Sequence, residues 1–317
     1  MAQINKLRLM AKVARMYYQF NMSQSEIANR LCLSQATVSR LLRNAKEEGL
    51  VRIFLSVPRG VNIEIEEELI HKYNLKNAIV VDCESPDEVL IQREIGSAAA
   101  FYFESVIKNN DVVGISSWSE TLLALVEAMH QVPGKTGIQV VQILGSIGNP
   151  SAEIHANRLI GRLSSLLNAT PWFLPAPAIV GSESALRVLL EDPYVQQTMQ
   201  LFDQITIALV GIGSIKPSKL LTLSGNIFSL EEQDSLIKCG AVGDILLRFF
   251  DINGKLVKTP FSNKVVSMNL EQLRRVRLSI GVAGGDRKYQ AILGALRGNW
   301  INVLVTDKHT AERLAHA

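Results

Sequence analysis

Predicted strands and helices alternate from residue 78 to residue 315, and this alternation constrains the fold more than any other feature of the sequence. Short apolar runs suited to buried strands, such as Ala78–Asp82 and Asn302–Thr306, are followed by segments with helical spacing of apolar residues. Alternation over this length predicts an α/β fold with a mostly parallel, doubly wound, Rossmann-like sheet. A hairpin is expected at Asn253-Gly254, between strands at Ile245–Phe250 and Lys255–Lys258.

The segment from Met22 to Ile53 has a different pattern, that of two short helices joined by a tight turn. Ser23 and Ser34 suit N-cap positions, and Glu26 completes a capping box with Ser23. This pattern predicts a helix-turn-helix whose second helix enters the DNA major groove, with an ordinary helical hairpin as the alternative. The side chains expected to contact DNA are mostly short and polar, with two cations: Ser23, Gln24, Ser34, Gln35, Ala36, Thr37, Ser39, Arg40 and Arg43.

The residues on either side of this pair extend the prediction. A helix at Lys6–Phe20 is expected to pack beneath the helix-turn-helix as a third core helix. Gly49 is expected to end the second helix as a left-handed residue. Val51–Leu55 then resembles a strand, which predicts a winged variant of the motif.

Charge is distributed unevenly along the chain. Residues 1–60 contain ten Lys or Arg and three acids, a net charge of +7, whereas the whole chain carries +3 and the remainder therefore −4. A basic segment joined to a mildly acidic body is typical of a nucleic-acid-binding module attached to another domain. Pro58-Arg59-Gly60 breaks the chain, so we expect a DNA-binding domain at residues 1–57 and a second domain at 58–317.

Composition excludes several other classes of protein. The chain of 317 residues is 47% hydrophobic, which permits a full core, and no apolar run reaches membrane-spanning length. The first residues lack the apolar stretch of a signal peptide, and three scattered cysteines without a CxxC motif suit reduced thiols, so a cytoplasmic location is expected. The five histidines show no metal-ligand spacing. No metal or other cofactor is therefore expected.

Small residues follow several of the predicted strands, where ligands bind in doubly wound sheets. Ser116–Thr121 is rich in hydroxyls and precedes a helix, which favours a phosphate site. Gly145 and Gly211–Gly213 could let backbone amides approach a ligand or simply form tight turns. Asp244 could bind sugar hydroxyls or cap a turn. Lys288 lies at the start of a helix, where a cation is locally unfavourable, and this placement favours an anionic partner.

Taken together, these segments resemble the SorC/DeoR-type family of bacterial sugar-responsive transcription regulators over nearly the whole chain. The motifs that carry the resemblance are SQSEIANRLCLSQATVSRLL (23–42), VGISSWSETL (113–122), HANRL (155–159), FLPAPAIV (173–180), LVGIGS (209–214), SGN (224–226), GAVGDILLRFFD (240–251), GVAGG (281–285) and NVLVTD (302–307). The resemblance implies a helix-turn-helix and an effector domain similar to glucosamine-6-phosphate deaminase and ribose-5-phosphate isomerase. It also implies a tetramer on operator DNA and a phosphorylated sugar as effector.

Carried over by position, the resemblance implies an effector site formed by Ser116, Ser117, Trp118, Ser119, Thr121, Gly145, Gly211, Gly213, Asp244 and Lys288. We therefore expect a regulator of a carbohydrate-utilisation operon, not an enzyme. The alternative is a sugar-phosphate isomerase or deaminase with an accessory DNA-binding module, in which Asp244, Glu120 and His155 could act as acid or base. A constitutive DNA-binding protein without a ligand is a third possibility.

Overall fold

The computed structural model describes residues 2–53, 58, 60–117, 119–146, 150–216 and 229–317, without the side chains of 2–3 and 150–156. The chain divides into two compact units, Met1–Pro58 and Arg59–Ala317. Each unit has its own apolar core, so each is described by itself.

The first unit consists of three helices: α1 (Ala2–Tyr18), α2 (Gln24–Leu31) and α3 (Gln35–Glu47). The Ser23 side chain accepts from the Glu26 N–H, and the Glu26 carboxylate accepts from the Ser23 N–H, which is the capping box expected from the sequence. Cys32 adopts a left-handed conformation with φ 53°, so the chain turns sharply between α2 and α3. Gly49 is left-handed directly after α3, as the sequence predicts.

The core of this unit lies between α1 and the α2–α3 pair. Its buried residues are Met10, Val13, Ala14, Met16, Ile27, Ala28, Val38, Leu41, Leu42 and Ala45. Val51–Ile53 is not a strand, and Phe54 and Leu55 lie outside the described residues, so the wing remains a prediction.

Ile27→Ala is expected to lower the free energy of unfolding by about 2–5 kcal/mol, because it leaves a cavity where Ile27 is fully buried. The measurement is denaturant unfolding followed by circular dichroism. Ile53→Ala is the matched control, because Ile53 is 61% exposed and should change stability by less than about 0.5 kcal/mol. Equal losses in the two variants would contradict this account of the core.

The second unit is built on a seven-stranded sheet in which every neighbouring pair of strands is parallel. Its strands, in chain order, are β1 (Asn77–Val81), β2 (Val112–Ile115), β3 (Gln139–Gln142), β4 (Thr170–Trp172), β5 (Ile207–Gly211), β9 (Leu278–Val282) and β10 (Val303–Asp307). In space they are ordered β1-β10-β9-β5-β2-β3-β4. The expected α/β fold with a mainly parallel sheet is therefore confirmed.

Helices cover both faces of this sheet. They are α4 (Ile63–Tyr73), α5 (Glu88–Val106), α6 (Glu120–Ala128), α7 (Pro150–Leu167), α8 (Glu183–Leu190), α9 (Pro193–Met199), α10 (Leu230–Lys238), α11 (Leu270–Arg275), α12 (Tyr289–Arg297) and α13 (Lys308–Ala315). One apolar core contains residues of α5, α6 and α7, and the other contains residues of α4, α12 and α13. Within the described ranges, no helix has the length and apolar character needed to cross a bilayer.

The strand order reverses between β2 and β5. From β2 the chain proceeds outward through β3 to β4, and from β5 it proceeds in the other direction through β9 to β10. Ligands of open α/β sheets bind beyond the carboxyl ends of the strands at such a reversal. The segments that follow Ile115 and Gly211 therefore flank the expected ligand cleft.

A small antiparallel sheet, β6 (Gly213–Ser214), β7 (Gly243–Ile245) and β8 (Arg248–Phe250), corrects the expected hairpin. Ile245–Phe250 is not one strand, because Leu246 and Leu247 form its turn with φ values of 57° and 60°. Lys255–Lys258 is not a strand either. The chain does turn at Asn253-Gly254, but only an isolated bridge between Phe250 and Leu256 pairs its two sides.

Candidate functional site

The outer face of α3 presents the polar residues that the sequence assigns to DNA contact. Burial of Val38, Leu41, Leu42 and Ala45 directs the opposite side of the helix into solvent. Gln35, Ala36, Arg40 and Arg43 are exposed there, and Thr37 and Ser39 are partly exposed. The first acid in α3 is Glu47, in its last turn. This face therefore combines hydrogen-bonding groups with positive charge, which suits base edges and phosphates.

The two cap serines have partners within the protein. The Ser23 hydroxyl lies 2.7 Å from a Glu26 carboxylate oxygen and 3.0 Å from the Ser25 hydroxyl. The Ser34 hydroxyl accepts from the Thr37 N–H at 3.1 Å and lies 2.8 Å from the Thr37 hydroxyl. These bonds fix the starts of both helices. Gln24 at the start of α2 is partly exposed.

In the second unit, the loop after β2 and the end of β5 meet at the strand reversal. Ser119 is the N-cap of α6 and accepts from the Leu122 N–H at 3.3 Å. A Cβ atom on Gly211 would lie only 2.7 Å from the Ser119 hydroxyl oxygen, so glycine is what allows the strand to pass so close to this helix start. A hydroxyl and a helix N-terminus thus border the carboxyl end of β5.

Asp244 lies beside this point on the small antiparallel sheet. It pairs in register with Gly213, and a Cβ atom on Gly213 would clash with the Asp244 carboxylate. The Asp244 carboxylate accepts from the Leu247 N–H at 2.9 Å and so holds the left-handed turn. Burial raises the pKa of Asp244 to about 6, whereas the Leu247 N–H and the charge of Lys288 act to lower it. The sequence interpretation placed Asp244 before a strand, but it lies within β7.

Lys288 faces Asp244 from the start of α12. Its main chain ends a short 3-10 turn at Asp286–Lys288, and its side chain is only 8% exposed. Burial lowers the pKa of Lys288 to about 8, and the charge of Arg287 lowers it further, while Glu88, Asp244 and Glu120 act in the opposite direction. None of the ion pairs formed among the described residues includes Lys288.

A close contact explains why two residues distant in sequence meet here. A Cβ atom on Gly243 would lie 2.4 Å from the Ala291 Cβ, so β7 packs directly against the first turn of α12. This contact brings the residue after Gly243 close to the residue that precedes α12. The structure therefore brings Ser119, Gly211, Gly213, Asp244 and Lys288 together at the reversal.

Other predicted ligand residues have structural partners. The Ser117 hydroxyl donates to the Leu144 carbonyl at 3.1 Å, and the Gly145 N–H donates to the Val266 carbonyl at 3.0 Å. Ser116 and Thr121 are buried, with 6% and 1% exposure. The geometry thus gives Gly145 and Ser117 roles in packing, and their contact with a ligand remains a prediction.

Two predicted residues lie outside the description. Trp118 is outside the described residues, and the side chain of His155 is outside the described side chains. Asn157, which the sequence placed near the same cleft, is exposed on α7. Among the residues that the structure describes, no group of three His, Cys, Asp or Glu side chains could hold a metal ion.

Sequence reasoning missed the contacts of Arg287, which border the cluster. Its guanidinium pairs with Glu88 at the start of α5, and it donates to the Ser214 hydroxyl at 2.6 Å and to the Lys216 carbonyl at 2.7 Å. The only sequence signal for this role was its position next to Lys288. Arg287 therefore fixes the end of β6 beside the Asp244–Lys288 pair.

The fold and this site define a class: a three-helix unit linked in sequence to an α/β domain with a polar cluster at its strand reversal. The family model described as a putative sugar-binding domain matches residues 59–315. The deoxyribonucleoside regulator of Bacillus subtilis (strain 168) is 34% identical over 311 residues, which covers 98% of this chain and 98% of the relative. The sorbitol operon regulator of Klebsiella pneumoniae is 34% identical over 319 residues, 99% of each chain.

Solved structures agree with these relatives. The crystal structure of the full-length sorbitol operon regulator SorC from Klebsiella pneumoniae has a TM-score of 0.75 and 33% sequence identity, and the match covers 98% of this chain and 99% of that one. The chain belongs to the SorC/DeoR-type family of transcriptional regulators with a sugar-binding domain.

Proposed function

We propose that this chain regulates a carbohydrate-utilisation operon by binding operator DNA with an affinity that a phosphorylated sugar controls. The observation that carries the proposal is the buried Asp244–Lys288 pair at the strand reversal, in a family whose relatives are named for a deoxyribonucleoside and a sorbitol operon. A buried cation without an ion-pair partner among the described residues favours an anionic ligand, because desolvation of its charge is left uncompensated.

The DNA-binding half of the proposal rests on the outer face of α3. We assign DNA contact to residues 1–57 and ligand binding to residues 58–317. The exposed Gln35, Arg40 and Arg43 side chains would reach base edges and phosphates if α3 enters the major groove as a recognition helix does. A cytoplasmic location follows from a partner that is operator DNA.

The ligand half rests on the groups around Lys288. The sugar phosphate would place its anionic group near the Lys288 ammonium and the hydroxyl-rich loop of Ser116, Ser117, Trp118, Ser119 and Thr121. The carboxylate of Asp244 would accept hydrogen bonds from sugar hydroxyls. Gly211 and Gly213 would border the ligand, and Gly145 would support the neighbouring loop.

A symmetric oligomer fits this function. One recognition helix contacts few bases, whereas two related by a two-fold axis read half-sites about 34–36 Å apart, or a multiple of that distance. We propose a tetramer, as the family resemblance implies. Light scattering that finds only a monomer at micromolar concentration, with and without DNA, would contradict it.

The test of the ligand is a thermal-shift screen of sugar phosphates against their unphosphorylated parents. A ligand present at about 100 times its Kd stabilises the native state by about 2.7 kcal/mol, which is readily detected. We expect a sugar phosphate to raise the transition temperature and its parent sugar to do so much less. A set of sugar phosphates without any effect, in a protein that still binds DNA, would oppose control by this class of ligand.

Arg40→Ala is expected to weaken operator binding by about 1–3 kcal/mol, because it removes an exposed cation from the recognition face. Relaxed sequence preference would identify a base contact, and uniform weakening across sequences would identify a phosphate contact. Titration of labelled operator measures the loss. Lys238→Ala, an exposed cation on α10, is the control. Unchanged affinity in Arg40→Ala would show that α3 is not the recognition helix.

An enzymatic function is the second candidate, because the pKa values of Asp244 and Lys288, about 6 and about 8, lie where acid–base catalysis operates at neutral pH. The relatives are named as regulators, so we propose binding without turnover. Isomerisation or deamination of sugar phosphates at ordinary enzyme rates, absent in Asp244→Asn, would reverse this order.

A further inference from the structure

We propose that Arg8, Lys12 and Arg15 on the outer side of α1 form a second DNA-binding surface, which contacts phosphates independently of base sequence. This surface is distinct from the recognition face of α3, and the inference rests on the proposed DNA-binding function. We call these three residues the α1 stripe.

The stripe follows from the spacing of its members along the helix. Arg8, Lys12 and Arg15 occur at i, i+4 and i+7, so they lie on one face of α1. All three are exposed. Met10 and Val13, which α1 buries against the other two helices, lie on the opposite side. The stripe is therefore presented to solvent by the same packing that forms the core.

No acidic residue offsets these charges within the helix. The α1 sequence AQINKLRLMAKVARMYY contains no Asp or Glu. Like charges at i and i+4 destabilise a helix by about 0.2–0.5 kcal/mol per pair. No ion pair among the described residues includes a member of the stripe. A polyanion would relieve this repulsion.

The C-terminal end of the stripe adjoins the basic end of α3. Lys46, in the last turn of α3, lies over the Tyr18 ring with its Nζ 5.9 Å from the ring centroid. Arg15, one turn before Tyr18, stacks over Phe20 at 5.4 Å and donates to the Gln19 side chain at 3.1 Å. Positive charge thus continues from Arg43 through Lys46 to the stripe, and aromatic side chains hold two of the cations in place.

The dimensions of the stripe suit a DNA backbone. With a rise of about 1.5 Å per residue, the stripe extends over about 10 Å. A duplex presents about one phosphate charge per 1.7 Å of its axis, so that length offers enough phosphates for all three cations. The stripe carries no short polar side chain of the kind that α3 presents to base edges, so the contacts would position the protein without reading sequence.

The test is the salt dependence of DNA binding by the full chain with Arg8, Lys12 and Arg15 all replaced by Gln. Two labelled duplexes are titrated from about 50 to 200 mM salt: one of random sequence, and one operator selected by the wild-type protein from a randomised library. Each lost phosphate contact lowers the slope of log affinity against log salt by about 0.9. We expect the slope to fall by about 2.7 per bound subunit on both duplexes, with an unchanged ratio of their affinities.

Three further variants make the outcome decisive. Arg8→Lys with Arg15→Lys should restore the wild-type slope, because it keeps the charges. The triple replacement Arg187→Gln, Lys238→Gln and Lys258→Gln, at exposed cations of the second unit, should leave the slope unchanged. Single substitutions in the stripe, each expected to lower the slope by about 0.9, apply if the triple variant fails to fold.

The results separate this inference from the proposed function. A wild-type protein that binds neither duplex overturns DNA binding itself. A wild-type protein that binds both, with a stripe variant of equal slope, overturns only the inference. It is also overturned if the loss is confined to the selected operator, or if the control triple lowers the slope equally, since net charge alone would then explain the effect.

Discussion

Lys288→Ala combined with Asp244→Asn is expected to bind operator DNA with wild-type affinity but to lose its response to the sugar phosphate. The two residues lie in the second unit, whereas the basic recognition face lies in the first, so basal DNA binding does not depend on them. A ligand shifts an equilibrium only by its differential affinity for two conformations, and such coupling amounts to about 1–3 kcal/mol, or 5–150-fold in affinity. Operator titration with and without the sugar phosphate measures it.

Asparagine is the better replacement for Asp244 because its side chain can still accept from the Leu247 N–H and so keep the left-handed turn. The matched control is Lys308→Ala with Asp286→Asn, a cation and a carboxylate at the starts of other helical segments of this domain. The control should respond like the wild type. A wild-type response in the Lys288–Asp244 variant would show that the cleft lies elsewhere, and loss of DNA binding without ligand would assign these residues a structural role.

Much of the parallel sheet could be predicted from the sequence because its strands are buried on both faces. β9 and β10 are fully buried, so their sequences read as nearly continuous apolar runs. Helix starts were also predictable where a short polar side chain caps the helix, as Asp87 does for α5 and Asp307 for α13. Both signals are local, and both survive in the folded chain.

The antiparallel part could not be predicted because its turn uses residues that do not signal one. Two-residue turns of this kind usually contain Asn or Gly, since both central residues need positive φ. Leu246 and Leu247 occupy these positions here, with Leu246 buried in the core and Asp244 bonded to the Leu247 N–H. Tertiary packing therefore decides the turn. The helix Leu270–Arg275 was missed although Asn269 and Gln272 form a capping box, a signal that the sequence does contain.

The candidate site was predictable as a set of loops but not as a set of contacts. Small residues after the strands marked where a ligand could sit. Sequence alone could not show that the Gly145 N–H and the Ser117 hydroxyl have internal partners. Nor could it show that Arg287 joins β6 to α5, because that contact depends on where three distant segments meet.

The affinity for the sugar phosphate is expected to be greatest between about pH 6 and pH 8 and to fall on both sides. Above the pKa of Lys288, about 8, the ammonium that attracts the phosphate loses its proton, and the affinity then falls by up to about tenfold per pH unit. Below the pKa of Asp244, about 6, the carboxylate is protonated and accepts fewer hydrogen bonds from sugar hydroxyls. The second ionisation of a phosphate monoester, also near pH 6, adds to the acid limb.

Stability without ligand is expected to vary in the opposite sense. The folded pKa of Lys288 lies below its usual 10.5, so its charge destabilises the fold fully below about pH 8, and this penalty is relieved as the pH rises toward 10.5. The folded pKa of Asp244 lies above its usual 3.8, so its penalty is full above about pH 6 and is relieved as the pH falls. Both penalties are complete in the interval where the ligand binds best.

Lys288→Met separates these effects, because it removes the charge and keeps a flexible apolar side chain of similar length. The variant should lose the alkaline limb of the affinity profile, measured by calorimetric titration, while the acid limb remains. In denaturant unfolding, it should also lose the rise in stability between about pH 8 and pH 10.5 that the wild type shows. An alkaline limb that persists in Lys288→Met would assign the phosphate to another cation, and a wild-type affinity that is flat from pH 6 to pH 10 would remove Lys288 from the ligand site.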